Sequence, residues 1–432
     1  MLIEFSVKNF KSIKERQTLS MMASSGSELR SSNTIQALDN KISLLRSAAV
    51  YGPNASGKTN LIKALHTMRR IVLKSSQSQR GDMVGVTPYL FDQETQLLPS
   101  EFIINFISQN VRYEYGFITT NEQVLEEWLL AYPKGRSQEW LNRKFDNKSG
   151  KYEWGNMDNI VGKKQLLQEA TRPNALFLST AIQLNNTQLQ PVFDWFRLYL
   201  RTIQGNLAPT FTFEICEDDN LKLDIIKFMQ AADFNISDLE VKSEPIELVE
   251  LLSNISSVER NEISKKINAN PNKKPEIQRY DVKTVHVGEG GNKYKLDMDD
   301  ESNGTQKFFI YAGPWLDVLK NGYVLVVDEI NNNLHPDLVK FMIQMFHDNN
   351  LNRKNAQLIL TTHETSILSQ EIFRRDQIWF TEKDEYNATT LYPLSDFNPR
   401  KDVENLEKNY LHGRYGGRPY IRNIANLFGS GS

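Results

Sequence analysis

Residues Gly52, Pro53, Asn54, Ala55, Ser56, Gly57, Lys58 and Thr59 fit G-x-x-x-x-G-K-[ST], and this stretch constrains the fold more than any other. Ala48-Ala49-Val50-Tyr51 before it is an apolar run suited to a buried strand. After it, Leu61, Ala64, Leu65 and Met68 recur at helical spacing. Strand, loop and helix in that order are what a phosphate cradle needs. The glycines let the backbone curl so that N–H groups face phosphate oxygens, and the helix N-terminus adds positive potential. In such a loop Lys58 reaches the β- and γ-phosphates and Thr59 holds Mg²⁺. The expected nucleotide contacts run from Gly52 through Thr59 and on to Asn60.

The chain has 432 residues, enough for two to three domains with ample core. Lys and Arg number 51 against 53 Asp and Glu, a formal net charge of −2. Overall charge therefore gives no argument for nucleic acid, and any such binding rests on a local patch. The single cysteine, Cys216, excludes a disulfide framework or a cysteine zinc site within the chain. It reads as a small, half-buried apolar residue and fits a reducing cytosol. No run of 18 apolar residues is present, so no membrane-spanning helix is expected. The start, MLIEFSVKNF, lacks the basic-then-apolar pattern of a signal peptide. A cytoplasmic location follows as the expectation. Gly429 to Ser432 read as an appended flexible linker.

Residues 2–13 alternate apolar and polar as a strand, with a second strand near 17–22 and a Ser/Asn-rich loop over 24–40. After the helix that follows Lys58, residues 75–99 are polar and without period. Residues 100–133 then read as successive strands with turns at Gln109-Asn110 and Thr120-Asn121. A further pair near 138–145 and 151–154 completes an antiparallel β-layer. Residues 156–270 read as mainly helical: 191–203, 220–232 and 245–267 carry amphipathic spacing, explained by ordinary helical packing. No heptads run on, which excludes a long coiled-coil arm. A polar linker covers 270–276, and strands return at 277–287 and 293–298 around a Gly-rich turn.

The second half supplies the rest of a nucleotide site. Ser302-Asn303-Gly304-Thr305-Gln306 opens an amphipathic helix to about Leu319. A Ser/Gly helix start offers free N–H groups and a favourable dipole, although Ser-x-Gly also makes an ordinary cap. Next comes the continuous apolar run 322–330, closing on Asp328-Glu329. Two carboxylates ending a buried strand are costly without a cation or partner. Asp328 would hold Mg²⁺, and Glu329 would orient or deprotonate the attacking water. Residues 356–365 form another apolar strand that ends at His363, placed to reach a γ-phosphate. His335, between Leu334 and Pro336, reads as a structural turn residue. Each piece alone suits a plain strand, turn or helix. In this order they make an ABC-type ATPase head. The fold class is α/β: a P-loop NTPase with a mixed sheet, an antiparallel β-layer and a mainly helical insertion.

These segments resemble the heads of the SMC and RecF group. They resemble more closely the smaller AAA-type ATPases of bacterial abortive-infection and antiphage operons: the OLD, Septu PtuA, PARIS AriA and RloA/AbiL types. FSVKNFKSI, GPNASGKT, DES-x-GT, DEI with LHP, TTHET and NYLHGRYGGRP carry the likeness to the last type. It covers residues 1–70 and 295–422, and the middle poorly. The resemblance implies two heads that sandwich ATP between Gly52–Thr59 of one copy and Ser302–Gln306 of the other. Asn331 to Asn333 would then sit at the dimer seam, and Lys11 beside the nucleotide or in solvent. The glutamine usual in such heads is not singled out among Gln77, Gln79, Gln93 and Gln96.

Near the end, 400–422 carries six basic against three acidic residues, with Tyr410, Tyr415 and Tyr420 interleaved. Three readings stand: a nucleic-acid patch, a docking site for a partner protein, or a tail packed on its own head. Some 60 residues follow the TTHET segment, too few for a fused Toprim nuclease, and six scattered histidines give no HNH cluster. Any cutting or killing activity is thus expected on another polypeptide, a Toprim/RloB-like or HNH effector, under a phage-encoded trigger. The expected organisation is 1–155 and 276–428 for the head, 156–275 for the insertion and 429–432 for the linker. The function expected is an ATP-hydrolysing sensor or scaffold of antiphage defence; the alternative is a RecF-like DNA-binding ATPase of repair. A transport subunit is disfavoured, because Lys58 and Ser302 lie 244 residues apart.

Overall fold

Ser47–Tyr51 is buried at every position, as its apolar sequence requires, and it takes an interior place in a six-stranded sheet. In order across that sheet lie Leu200–Ile203, Val324–Val327, Gln357–Thr361, Ser47–Tyr51, Ile378–Lys383 and Thr389–Pro393. The first five run parallel and the last is antiparallel. Near-continuous apolar runs are what a parallel sheet covered on both faces demands. Registers Val327↔Leu360 and Thr361↔Val50 bring the carboxyl ends of three strands level. The residues that follow those ends are the phosphate loop, Asp328-Glu329 and Thr362-His363.

This computed structural model describes residues 1–205, 207–246, 277–400 and 404–417. The chain divides into two compact units, Met1–Asn206 with Val318–Ser432, and Leu207–Asp317. In the first unit a second sheet has seven antiparallel strands. Their order is Lys151–Trp154, Gln138–Asp146, Val124–Tyr132, Val111–Thr119, Ser100–Ser108, Leu2–Lys8 and Gln17–Ser20. Gln109 and Asn110 both adopt positive φ, 49° and 59°, as a tight two-residue hairpin turn needs. The helix Lys58–Lys74 buries Leu61, Ile62, Leu65, Met68, Ile71 and Val72 along one face. One apolar cluster joins that face to Phe5, Val7, Phe102 and Ile104 of the antiparallel sheet and to Val50, Val326 and Ile359 of the parallel one. Each such side chain, fully buried, contributes about 1.5–3 kcal/mol.

The second unit holds the helices Thr210–Ile215 and Asp219–Ala231 and a three-stranded antiparallel sheet of Asp238–Ile246, Ile277–Val287 and Lys293–Asp297. Asp218 caps the longer helix, its carboxylate accepting the N–H groups of Asn220 and Leu221. Within it, Phe228 and Phe234 stack on Phe308, on the helix that opens at Asn303, at 4.6 and 5.1 Å. Cys216 is buried rather than half-exposed, and burial pushes its thiol up to about 12. No helix among the described residues is long and apolar enough to cross a membrane.

Four expectations need correction. The amphipathic run 191–203 is not one helix. It breaks into the helix Gln190–Asp194, a wide turn over Trp195–Tyr199, and the strand Leu200–Ile203. Pairing beside Val324–Val327 overrides the helical period there, and Thr202 and Ile203 favour strand. The segment 156–206, expected in the insertion, groups with the first unit. The loop expected over 24–40 contains the strand Thr34–Ala37, which pairs with Ile42–Leu45. The reading of 156–270 as mainly helical also fails at Asp238–Ile246, a strand. The remainder of the expected helix 245–267, the linker 270–276 and the terminal Gly429–Ser432 lie outside the described residues.

Candidate functional site

The loop between Tyr51 and Lys58 is held from behind as well as by its own sequence. Gly57 has φ +112°, and a β-carbon there would collide with the Thr389 side chain. Gly52 is equally confined, by Thr381 and Ser56. Ser56 shares a 2.6 Å hydrogen bond with the Thr381 hydroxyl, and Thr389 donates to the Ser56 carbonyl at 2.9 Å. Ser12 bonds Thr389 at 2.7 Å and accepts from the Asn60 amide at 2.7 Å. The outermost strand pair of the parallel sheet and the turn after Leu2–Lys8 thus brace the loop. Neither Thr381 nor Thr389 stands out in the sequence, because their meaning comes only from this contact. Lys11, one residue before Ser12, lies at φ +51° with its ammonium 5.7 Å from the Phe10 ring centre.

Lys58 is buried, and its ammonium donates to the carbonyls of Gly52 at 2.7 Å and Pro53 at 3.0 Å. Burial lowers its pKa to about 8, against the pull of Glu329 and Asp328. The same ammonium is 3.4 Å from His363 Nδ1, and His363 Nε2 is 3.7 Å from a Glu329 carboxylate oxygen. Burial, and then Lys58, hold His363 below the usual imidazole range despite Glu329. Lys58, His363 and Glu329 therefore form a connected row across three strand ends, with the loop Gly52–Ser56 at its side.

Thr361, the last residue of its strand, organises the acidic pair. Its hydroxyl donates to Asp328 at 2.6 Å and accepts the Glu329 N–H at 2.8 Å. Asn332 donates to the Glu329 carboxylate at 3.0 Å. Asn331 accepts from the Thr362 hydroxyl and, more loosely, from the His363 N–H. Glu329 itself sits at φ +53°, a left-handed conformation that costs a non-glycine residue about 1–2 kcal/mol. Such strain persists where surrounding contacts over-determine it, and it clusters at functional positions. His335 accepts the Asp337 N–H as cap of the helix Pro336–His347, in keeping with a structural role.

Among the described residues no three His, Cys, Asp or Glu side chains form an all-protein metal cage. Thr59 and Asp328 offer a hydroxyl and a carboxylate instead. Hard oxygen donors in small number suit Mg²⁺, which is completed by water and substrate phosphates.

Ser302, Gly304 and Thr305 belong to the second unit. Ser302 accepts the Thr305 N–H at 3.1 Å and bonds its hydroxyl at 2.8 Å, capping the helix Asn303–Asn321. Gln306 donates to the carbonyls of Asp299 and Glu301. The structure therefore brings together Gly52 through Asn60, Asp328, Glu329 and His363. The Ser302 segment forms a helix start of its own.

An open cleft of about 820 Å³ runs along the loop. Pro53, Asn54 and Ala55 line one wall, and His363, Thr365, Tyr410 and Leu411 line the others. Tyr410 and Tyr415 are buried, and both stack on Phe380, at 5.4 and 5.9 Å. Arg414 is paired with Glu404 at 3.0 Å. These tyrosines are thus not presented to bases, which corrects the nucleic-acid reading for them. Lys401, Arg418, Tyr420 and Arg422 lie outside the described residues.

A family model described as "AAA domain, putative AbiEii toxin, Type IV TA system" matches residues 47–369. No curated protein matches the chain. Among solved structures, the SMC head domain from Thermotoga maritima is similar at 11% identity and TM-score 0.39, over 91% of this chain and 98% of that one. An Smc head bound to the C-terminal domain of ScpA, from Pyrococcus furiosus, is similar at 13% identity and TM-score 0.35, over 91% and 96%. A further Smc head, bound to the C-winged helix domain of ScpA, gives 11% and 0.38, over 91% and 97%.

Proposed function

The chain belongs to this AAA-domain family, and from that premise we propose that it binds and hydrolyses ATP as the sensor or scaffold subunit of a bacterial antiphage system. One observation carries the proposal. Lys58, His363 and Glu329 stand in contact at the carboxyl ends of parallel strands, beside a braced phosphate loop. That crevice is where open α/β sheets bind their ligands.

The residues divide the work. N–H groups of the loop Gly52–Thr59 and the Lys58 ammonium bind the phosphates. Glu329 lies within reach of His363, and a carboxylate there orients an attacking water and takes its proton. His363 contacts the γ-phosphate and keeps Glu329 and Lys58 in register. Thr59 and Asp328 would hold Mg²⁺, which when bound neutralises charge on the phosphate oxygens. Ser302, Gly304 and Thr305 of a second copy would close the site, so that nucleotide joins two chains. The family's description, a toxin of a type IV toxin–antitoxin system, supports a setting in abortive infection. In that setting the joined heads hold a separate effector, a nuclease or toxin, until a phage cue arrives.

The test is hydrolysis by the purified chain. Lys58→Ala should lose nucleotide binding, whereas Glu329→Gln should keep binding and lose hydrolysis by ~10²-fold or more, the range of general-base catalysis. Wild-type turnover by Glu329→Gln would remove the base assignment.

A further inference from the structure

The segment after Pro399 grips the catalytic loop from outside. Glu407, on the helix Leu406–Leu411, accepts a hydrogen bond from the Thr365 hydroxyl at 2.9 Å. Thr365 is two residues beyond His363 and faces the same cleft. A second tie lies beyond it, where the Gln370 amide donates to the carbonyls of Arg400 and Glu404, each at 3.1 Å. The loop that carries His363 away from its strand is therefore pinned at two points by one segment.

The same helix reaches the other half of the site. Tyr410 follows Glu407 by three residues, so both project from one face. Its ring meets Tyr51 edge-on at 6.2 Å and stacks on Phe380 at 5.4 Å. Tyr51 immediately precedes Gly52. Its hydroxyl is buried without a hydrogen-bond partner among the described residues. Glu364 and Glu407 are the carboxylates that hold its ionisation up, alongside the larger effect of burial. Tyr410 donates to the Gly417 carbonyl at 2.6 Å, and the Gly417 N–H donates to Glu382, which anchors the segment to the sheet edge. One helical turn thus touches the strand that enters the phosphate loop and the loop that leaves His363.

We infer that Glu407 is a positioning residue for ATP hydrolysis, acting through Thr365 to hold His363 against Lys58 and Glu329. The inference rests on the reading of His363 as a γ-phosphate contact. Among the described residues neither Thr365 nor Glu407 hydrogen-bonds to the loop Gly52–Thr59, so their loss should act on turnover more than on nucleotide affinity. Displacement of a reacting group by about 1 Å costs ~10²-fold in rate, and a loosened His363 falls toward that range.

The experiment uses the full chain with Mg²⁺, steady-state ATP hydrolysis, and titration with fluorescent methylanthraniloyl-ATP. Thr365→Val and Glu407→Leu should each lower kcat by ~10-fold or more, with affinity for the fluorescent nucleotide within about twofold of wild type. Thr365→Ser keeps the hydroxyl and Glu407→Gln keeps an acceptor oxygen, so both should restore most of kcat. Wild-type kcat in Thr365→Val and Glu407→Leu overturns the inference. So does a uniform fall in all four variants together with lost nucleotide affinity, the mark of a merely structural contact. A wild-type chain that hydrolyses no ATP overturns the ATPase reading itself, and this inference with it.

Discussion

Lys58 concentrates the chemistry of the site at the scale of one residue. Its ammonium is buried, and desolvation lowers its pKa to about 8. Phosphate binding favours the charged form, so the sign is set. Below about 8 the lysine is protonated and affinity is at its plateau; as pH rises through about 8 the free protein loses that proton and binding weakens. Titrating fluorescent ATP between pH 7 and 9 should show affinity falling by up to ~10-fold per unit above the break. A flat profile would mean that Lys58 stays charged throughout. The places of Lys58, Thr59, Asp328 and Glu329 at the start of a helix and the end of a buried strand were legible in the sequence, because each belongs to a short local pattern. Thr361 carries no functional signal in the sequence, and Asn331 is expected there only at a dimer seam and not as a partner of the His363 loop. Thr361 gains its role from Asp328 and Glu329, more than thirty positions away, and Asn331 from Thr362 and His363. For Glu407 and Tyr410 the sequence leaves three readings open, and alternating charge and aromatics gives no sign of the Phe380 ring that packs Tyr410 on its own head.

At the scale of elements, the antiparallel layer was legible down to its turns, since period-two alternation and tight turns are local signals. The strand Leu200–Ile203 was not. Its pairing partner, Val324–Val327, lies far along the chain, and the preceding residues carry a helical stripe that ran on into it. The layer also contains a device that no pattern announces. Glu127 and Arg143 are both fully buried, 3.6 Å apart. Glu127 accepts from the Tyr115 hydroxyl and from the N–H groups of Phe177 and Leu178, which start the helix Phe177–Gln183. Arg143 lies 3.9 Å from the Tyr152 ring centre and donates to the Ala175 carbonyl. Burial raises the Glu127 carboxyl, and Arg143 with those N–H donors opposes the rise. Glu127→Gln should cost about 3–5 kcal/mol, because it strands a buried guanidinium. The reading is a lowered urea midpoint; an unchanged midpoint would show that Arg143 finds another partner.

At the scale of the whole molecule, the two halves of the proposed ATP site belong to different compact units. Lys58, Asp328, Glu329 and His363 lie in one, and Ser302, Gly304 and Thr305 in the other. Both halves were legible as motifs, yet a motif does not say which copy of the chain supplies it. In the proposed assembly ATP joins two chains, each lending its Ser302 helix start to the phosphate loop of the other. Glu329→Gln would trap that state, because it leaves binding intact and removes the base. The most direct test is the mass of Glu329→Gln in solution, by light scattering, with and without ATP and Mg²⁺. With ATP the mass should shift from the 49.8 kDa of one chain to twice that value, and adding Ser302→Arg should abolish the shift. A mass that ATP leaves unchanged, or a dimer that survives Ser302→Arg, would contradict it.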